Sequence, residues 1–322
     1  MSKGHTRPAP VILRNFTPVR ECLLDVAASG RSVDSMFSLR TTGSWISAAT
    51  ASLFVLGGLT MASLLAPSLP VSPLHDSGSS VASAQRAALD TLRAVSQHVV
   101  RKTNEVRRER DLSPLQTDKT LAEIACAHNA DMFRRAFFEH VNPDGESPHD
   151  RVAQMHRRLV GGVSENLYKQ DRIRKGPAAL GAQMVEKWMG SPPHRKNILF
   201  PSATHLGVCV TRKGSTLRGT QLFAKVVGYL APPLPRTAAP GSTLAISFEQ
   251  TFPSGTIIAR YDFWDPRTER RIFGPTLFVD TLRLPDTTGT VHPRFHTVGT
   301  DEYVIYRGPD ITIVDAPTSP SQ

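Results

Sequence analysis

Any chemistry in this chain has to come from its eleven histidines, three cysteines and a scatter of acids and hydroxyls. The cysteines are Cys22, Cys126 and Cys209; they contain no C-x-x-C pair and are too few for a disulfide framework. Cys126 falls in a helical stretch and Cys209 in a strand-like one, so they could meet in the fold, but the reading preferred on sequence is two buried free thiols. A zinc protease would show H-E-x-x-H and an α/β-hydrolase G-x-S-x-G; neither occurs, and Ser191 lacks the second setting. His128 lies on an apolar helix face and reads as a satisfied core histidine. Asp150 and Arg151 read as an ion pair pinning a loop, Asn166 and Asn197 as satisfying backbone groups in tight turns, and Trp188 as core. His149, His156 and His205 have no nameable partner.

These groups need elements to carry them. Ala84 to Arg110 places Ala88, Leu89, Leu92, Val95, Val99, Val100 and Val106 at helical spacings of three and four. Asp111-Leu-Ser-Pro114 breaks that pattern. Thr117-Asp118 caps a second helix expected to run through Phe138. After the turn-rich Asn142-Pro-Asp-Gly145 comes a third helix from Ser147. A fourth runs from Ala178 to Trp188, and strands cover Thr204–Thr211 and Thr220–Leu230. Helices followed by antiparallel strands predict an α+β layer arrangement. Beyond a Pro-rich linker at 231–241, short strand-like runs separated by Gly, Pro and Asp turns predict a small immunoglobulin-like β-sandwich over 242–315, with a disordered tail at 316–322.

The other end is different. Residues 1–40 form a polar leader with a net positive charge. No residue between Arg40 and His75 carries a formal charge, and Trp45–Leu65 is long and apolar enough to cross a bilayer as a helix. A transmembrane or signal-anchor segment at 41–66 is therefore expected, with the N-terminus inside and all that follows outside. Residues 67–94 read as a Ser/Pro linker plus the start of the first helix. Ala82-Ser83-Ala84 fits a cleavage pattern but lies well beyond the apolar core.

The net charge of +10 on 322 residues suits an anionic surface. It is spread out, without aromatics interleaved in a basic stripe, so no nucleic-acid partner is expected.

One family accounts for the order and spacing of the motifs. Asn104-x-x-Arg107 with Leu112-x-x-Leu115, Ala127-His-Asn-Ala-Asp-Met132 and Phe138-x-His140-x-x-Pro143-x-Gly145 resemble the CAP/SCP superfamily (cysteine-rich secretory protein, antigen 5, pathogenesis-related 1), in its bacterial branch. So do Ser147-Pro-x-Asp-Arg151, Glu165-Asn-Leu167, Trp188-x-x-Ser191-x-x-His194-Arg-x-Asn-Ile-Leu199, Leu206-Gly-Val208 and Gln221-x-Phe223. The resemblance covers residues 95–230 and implies a CAP-type α-β-α sandwich. It also implies a cleft gathering His140, Glu165 and His194. Many eukaryotic relatives carry a second glutamate where this chain has Ser191, so the four-residue set is incomplete; Glu146 is the nearby acid in sequence. Two imidazoles and a carboxylate imply a weak, reversible Zn2+ site at His140, His194 and Glu165, with Glu165 alternatively fixing one imidazole tautomer from behind.

Three functions follow. The chain is foremost a non-enzymatic binding module for a lipid, a wall fragment or a metal ion outside the cytoplasm. It is alternatively an envelope structural component. As a hydrolase it would use His140 or His194 as general base, Glu165 to orient it, and Ser191 or a metal-bound water as nucleophile.

Overall fold

The protein is seen in a computed structural model that describes residues 77–251, 257–298 and 303–315. The leader at 1–40, the apolar stretch at 41–66 and the tail at 316–322 lie outside the described residues, as do residues 67–76 of the linker and helix start expected at 67–94. Among the described residues no helix is long and apolar enough to cross a membrane.

Helix α1 (Ser77–Arg108) is amphipathic, and Val95, Val99 and Val106 on one stripe are buried. After it come the short strand β1 (Gln116–Thr117), α2 (Lys119–Arg134), α3 (Pro148–Met155) and β2 (Leu159–Asp171). Helices α4 (Pro177–Gly190) and α5 (Pro192–Ile198) precede the hairpin of β3 (His205–Lys213) and β4 (Thr216–Leu230). The sheet order is β1-β3-β4-β2, with β4 antiparallel to both neighbours. Successive β4 side chains point to opposite faces. Leu217 and Phe223 join Val99, Met184 and Trp188 on one side, while Leu222 and Ala224 join Leu121, Ile124 and Val152 on the other. The result is an α-β-α sandwich.

Close approach sets two of its contacts. A side chain at Gly207 would lie 2.3 Å from the backbone of Leu121 and Ala122, so glycine lets the first turn of α2 rest on β3. Gly181 does the same for α4 against His98 and Val99 of α1. Asp118 caps α2, accepting from Leu121 N at 2.9 Å. Its other oxygen accepts from Tyr229 Oη at 2.8 Å and meets His156 Nε2 at 3.0 Å. One carboxylate thus ties the start of α2 to the end of α3 and to β4.

Three sequence expectations are corrected here. Helix α2 ends at Arg134 rather than Phe138, because Ala136 takes a left-handed φ of 58° and Phe137 N turns back to Met132 O. Ser191-Pro-Pro-His194 is not merely a loop after α4 but leads into α5. Cys126 and Cys209 are not free thiols: they form a disulfide that staples α2 to β3. Asn129, one turn after Cys126, braces the same junction by donating to Cys209 O at 3.1 Å.

The remaining strands are β5 (Thr237–Ala238), β6 (Thr243–Ala245), β7 (Phe248–Thr251), β8 (Ile257–Asp265), β9 (Arg270–Leu277), β10 (Thr281–Arg283), β11 (Gly289–Val298), β12 (Tyr303–Arg307) and β13 (Ile311–Ile313). Six of them form a sheet of order β5-β13-β11-β8-β9, with β12 also on β11; β10 pairs with β6, and β7 adds to the end of β4. Their core of Phe263, Phe295, Leu282 and Ile311 also takes in Val160, Val227 and Leu230 from β2 and β4. The Pro-rich stretch at 231–241 is docked: Leu234 is buried, Arg157 donates to Leu234 O and Pro235 O, and β5 pairs with β13.

Candidate functional site

The expected cleft residues arrive on three separate elements. The loop between α2 and α3 carries His140, β2 carries Glu165, and α5 carries His194.

The loop is held by its own polar groups. Asn142 Oδ1 accepts from the amides of Asp144 and Glu146, and Asn142 Nδ2 donates to Glu146 Oε2 at 2.8 Å. Gln154 takes the other Glu146 oxygen at 3.1 Å. Glu146 is fully buried, and burial raises its pKa against those hydrogen bonds. It is a loop brace, and among the described residues no hydrogen bond joins it to either cleft imidazole.

Arg151, early in α3, locks this loop to the sheet. Its Nη1 donates to His140 O and Glu146 O, both at 2.9 Å, and its Nη2 donates to Glu165 Oε2 at 2.8 Å. The expected Asp150–Arg151 ion pair is therefore not what forms, since adjacent helix residues face different sides. Asp150 accepts instead from Ser147 in a capping box and from Arg307 of β12 at 2.7 Å.

Glu165 has a side chain only 1% exposed and spends both oxygens: Oε2 on Arg151, and Oε1 on His140 Nδ1 at 2.9 Å, with His128 Nε2 at 3.9 Å. A carboxylate facing a guanidinium can only accept, so Nδ1 of His140 carries its proton and Nε2 keeps its lone pair. The His140 side chain is 48% exposed, so that lone pair belongs to an accessible ring. His128 is buried with Nε2 on Glu139 O; burial, then the Arg151 charge, pull its pKa down to about 4. It is a neutral core histidine.

His194 is placed by uncharged amides. Asn166 donates to His194 O at 3.1 Å and to Gln221 Oε1 at 3.2 Å; Gln221 donates to Thr103 of α1 at 2.8 Å. Asn197 donates to Asn166 Oδ1 and to Glu165 O. The two asparagines thus bridge a strand to a helix rather than closing tight turns. The alternation of β2 explains the arrangement, because Glu165 faces α2 while Asn166 faces α1 and α5. His194 is half-buried, and burial first, then the His140 charge, lower its pKa. His194 therefore favours the neutral form, which binds metals and accepts protons.

Ser191 ends α4 and starts α5, with its carbonyl accepting from Arg195 N at 2.8 Å. Among the described residues no hydrogen bond joins its hydroxyl to either imidazole. Nor is any group of three or more His, Cys, Asp or Glu side chains among them disposed to hold a metal. With Glu165 committed, the donors on offer are two imidazoles, a set that fits a labile ion and not a closed structural site. Sequence reasoning missed Arg151 as the partner of Glu165 and missed the chain from Thr103 to Asn197. The signal available for the first was a cation inside the Ser147-Pro-x-Asp-Arg motif.

Comparison with known proteins agrees over this part of the chain. Residues 100–227 match the model of the CAP family, described as the cysteine-rich secretory protein family. The uncharacterized protein YkwD of Bacillus subtilis (strain 168) is 37% identical over 131 residues, covering 40% of this chain and 47% of that protein. The uncharacterized membrane protein YlbC of the same organism is 36% identical over 111 residues, covering 34% of this chain and 30% of that one. The chain therefore spans less than half the length of either relative. A crystal structure of an extracellular protein containing a SCP domain from Bacillus anthracis str. Ames is 25% identical and covers 49% of this chain and 45% of its own, with a TM-score of 0.37.

Proposed function

We propose, starting from a CAP domain at residues 100–227, that this protein is a non-enzymatic ligand-binding module working outside the cytoplasm. The observation that carries the reading is the commitment of Glu165. Buried between Arg151 and His140, it acts as a fixed orienting group and leaves His140 and His194 to meet an incoming ligand. A divalent metal such as Zn2+ would be held by these two imidazoles alone, weakly and reversibly, with Glu165 behind His140 as its hydrogen-bond partner. Hydrolysis is supported less well, because Ser191 is not paired with a base.

Placement outside the cytoplasm draws support from the uncharged Trp45–Leu65 stretch and from the Cys126–Cys209 disulfide, which suits an oxidising compartment. The strands after 242 we read as a sandwich of immunoglobulin-like type, a six-stranded sheet facing the β6–β10 ribbon across a shared core. In this reading the unit supplies a second, adhesive surface toward an envelope partner such as a lipid or wall fragment.

The test is zinc titration calorimetry on the full chain, near neutral pH and again below the imidazole pKa of about 6.5. The His140→Ala/His194→Ala variant is run beside it. Saturable binding that is lost in the variant and weakened in acid supports the metal-capable cleft. Absence of binding by the folded wild type removes the metal from the proposal and leaves lipid and wall-fragment binding to carry it.

A further inference from the structure

On the same α2-facing side of the sheet, four residues along the β2–β4 ladder from Glu165, a buried cation lacks a counter-charge among the described residues. Arg218 of β4 is 7% exposed and points toward α2, on the same face as Thr220, whose hydroxyl bonds Asn129. Its guanidinium carbon lies 4.2 Å from the centre of the Phe133 ring and 5.9 Å from that of Phe138. A cation laid on a ring uses its face, whereas its N–H donors lie in its plane. Two of them, Nε and Nη1, are sealed from solvent without an acceptor, and so is the hydroxyl of Thr211. Thr211 is directly opposite Arg218 in the β3–β4 ladder, and the exposed Lys169 is opposite it on the β2 side. Among the described residues no Asp or Glu forms an ion pair with Arg218. Burial lowers its pKa from the ordinary value, and no acid offsets that.

Buried guanidinium groups are ordinarily paired, because leaving their donors without acceptors forfeits solvation that packing does not return. We propose that Arg218, Thr211 and Lys169 hold the carboxylate of an acid with an apolar body, which lies against Phe133 and Phe138. One buried cation balances one negative charge, and the carboxylate oxygens offer acceptors to both guanidinium edges and to the Thr211 hydroxyl. Phenyl walls suit an apolar body and disfavour a multiply charged, strongly hydrated anion such as phosphate. Phe138 lies outside α2, two residues past the left-handed Ala136, and in this proposal its ring is the wall that gives way to admit the acid. The site uses no atom of His140, Glu165 or His194, so it is independent of the cleft function proposed above.

The experiment is calorimetric titration of the full chain with 3-phenylpropionate and, separately, with inorganic phosphate. The acid is expected to bind saturably and phosphate not to bind. Arg218→Met, which fills the space without charge, abolishes binding while circular dichroism and melting temperature are kept or improved. Phe138→Ala weakens binding about tenfold, the size of one lost apolar contact. Arg218→Lys keeps the charge but loses the planar donors, and weakens binding too; it carries the test if Arg218→Met folds poorly. The His140→Ala/His194→Ala variant binds as wild type. The proposal is overturned if folded wild type does not bind the acid, if Arg218→Met and Arg218→Lys both bind it unchanged, or if phosphate binds as tightly. Loss of binding in the double-histidine variant would assign the acid to the cleft and overturn it equally.

Discussion

Replacing Arg151 with methionine tests what holds the cleft together. The Arg151 and Glu165 side chains are 5% and 1% exposed, so removing the cation strands a carboxylate away from water. Breaking a buried pair from one side costs about 3–5 kcal/mol, and the carbonyls of His140 and Glu146 lose their shared donor as well. Glu165→Gln leaves Arg151 with those two acceptors, so its cost is smaller, about 2 kcal/mol. In Arg151→Met/Glu165→Gln neither charge remains, and the loss should fall short of the two single losses added together by about 2–3 kcal/mol. Urea unfolding of the full chain, followed by circular dichroism, measures all three. Glu165→Gln should also weaken zinc about 10–100-fold, since His140 loses the partner that fixes its ring. Additive losses, with a coupling under about 0.5 kcal/mol, would refute the reasoning, because the pair would then not be what fastens loop to strand.

Other consequences are open to the same measurements. His128, held near pKa 4, is neutral in the folded state, while the unfolded chain takes up its proton below about pH 6.5. Stability should therefore fall between those values as the pH is lowered, by up to about 3 kcal/mol, and His128→Gln should flatten the dependence. Asp118 lies well below the ordinary carboxylate range, because bonds from His156, Leu121 N and Tyr229 outweigh the opposing effect of burial. Its contribution is present above about pH 4 and lost as pH falls further; Asp118→Ala should cost about 2–3 kcal/mol at neutral pH in urea titrations. Cys126→Ala/Cys209→Ala opens a bond spanning 83 residues and should cost about 2–5 kcal/mol, with non-reducing peptide mapping showing the crosslinked pair in the wild type. Arg307→Met leaves buried Asp150 and Asp310 without their shared cation and should cost about 3–5 kcal/mol by urea midpoint.

How far the sequence could be read depended on whether a pattern was local. The valine stripe of α1 and the Asp118 cap depend on neighbours within a turn, and both could be read directly. Strand β2 could not: Gly161, Gly162, Ser164, Glu165 and Asn166 interrupt any alternation of apolar residues, because this strand carries the site rather than core alone. The beginning of β9, Arg270-Arg271, was hidden in a charged run, since those side chains point to solvent or to Asp262 across the sheet. The grouping of His140 with Glu165 was legible only through the resemblance to a family. The roles of Asp150 and Arg151 depend on partners 157 and 14 residues away, which no spacing reveals. The disulfide was missed for the same reason, its two halves being separated by 83 residues.

Strand β4 serves two cores in one run of backbone, with Phe223 in the first and Val227 and Leu230 in the second. A joint of that kind has no hinge. Whatever grips the strands after 242 also sets the direction in which His140 and His194 face, as a bracket aims a lamp. Partners on the two surfaces would then be held at a fixed distance and angle, so a rigid spacer between two ligands should bind in only one length.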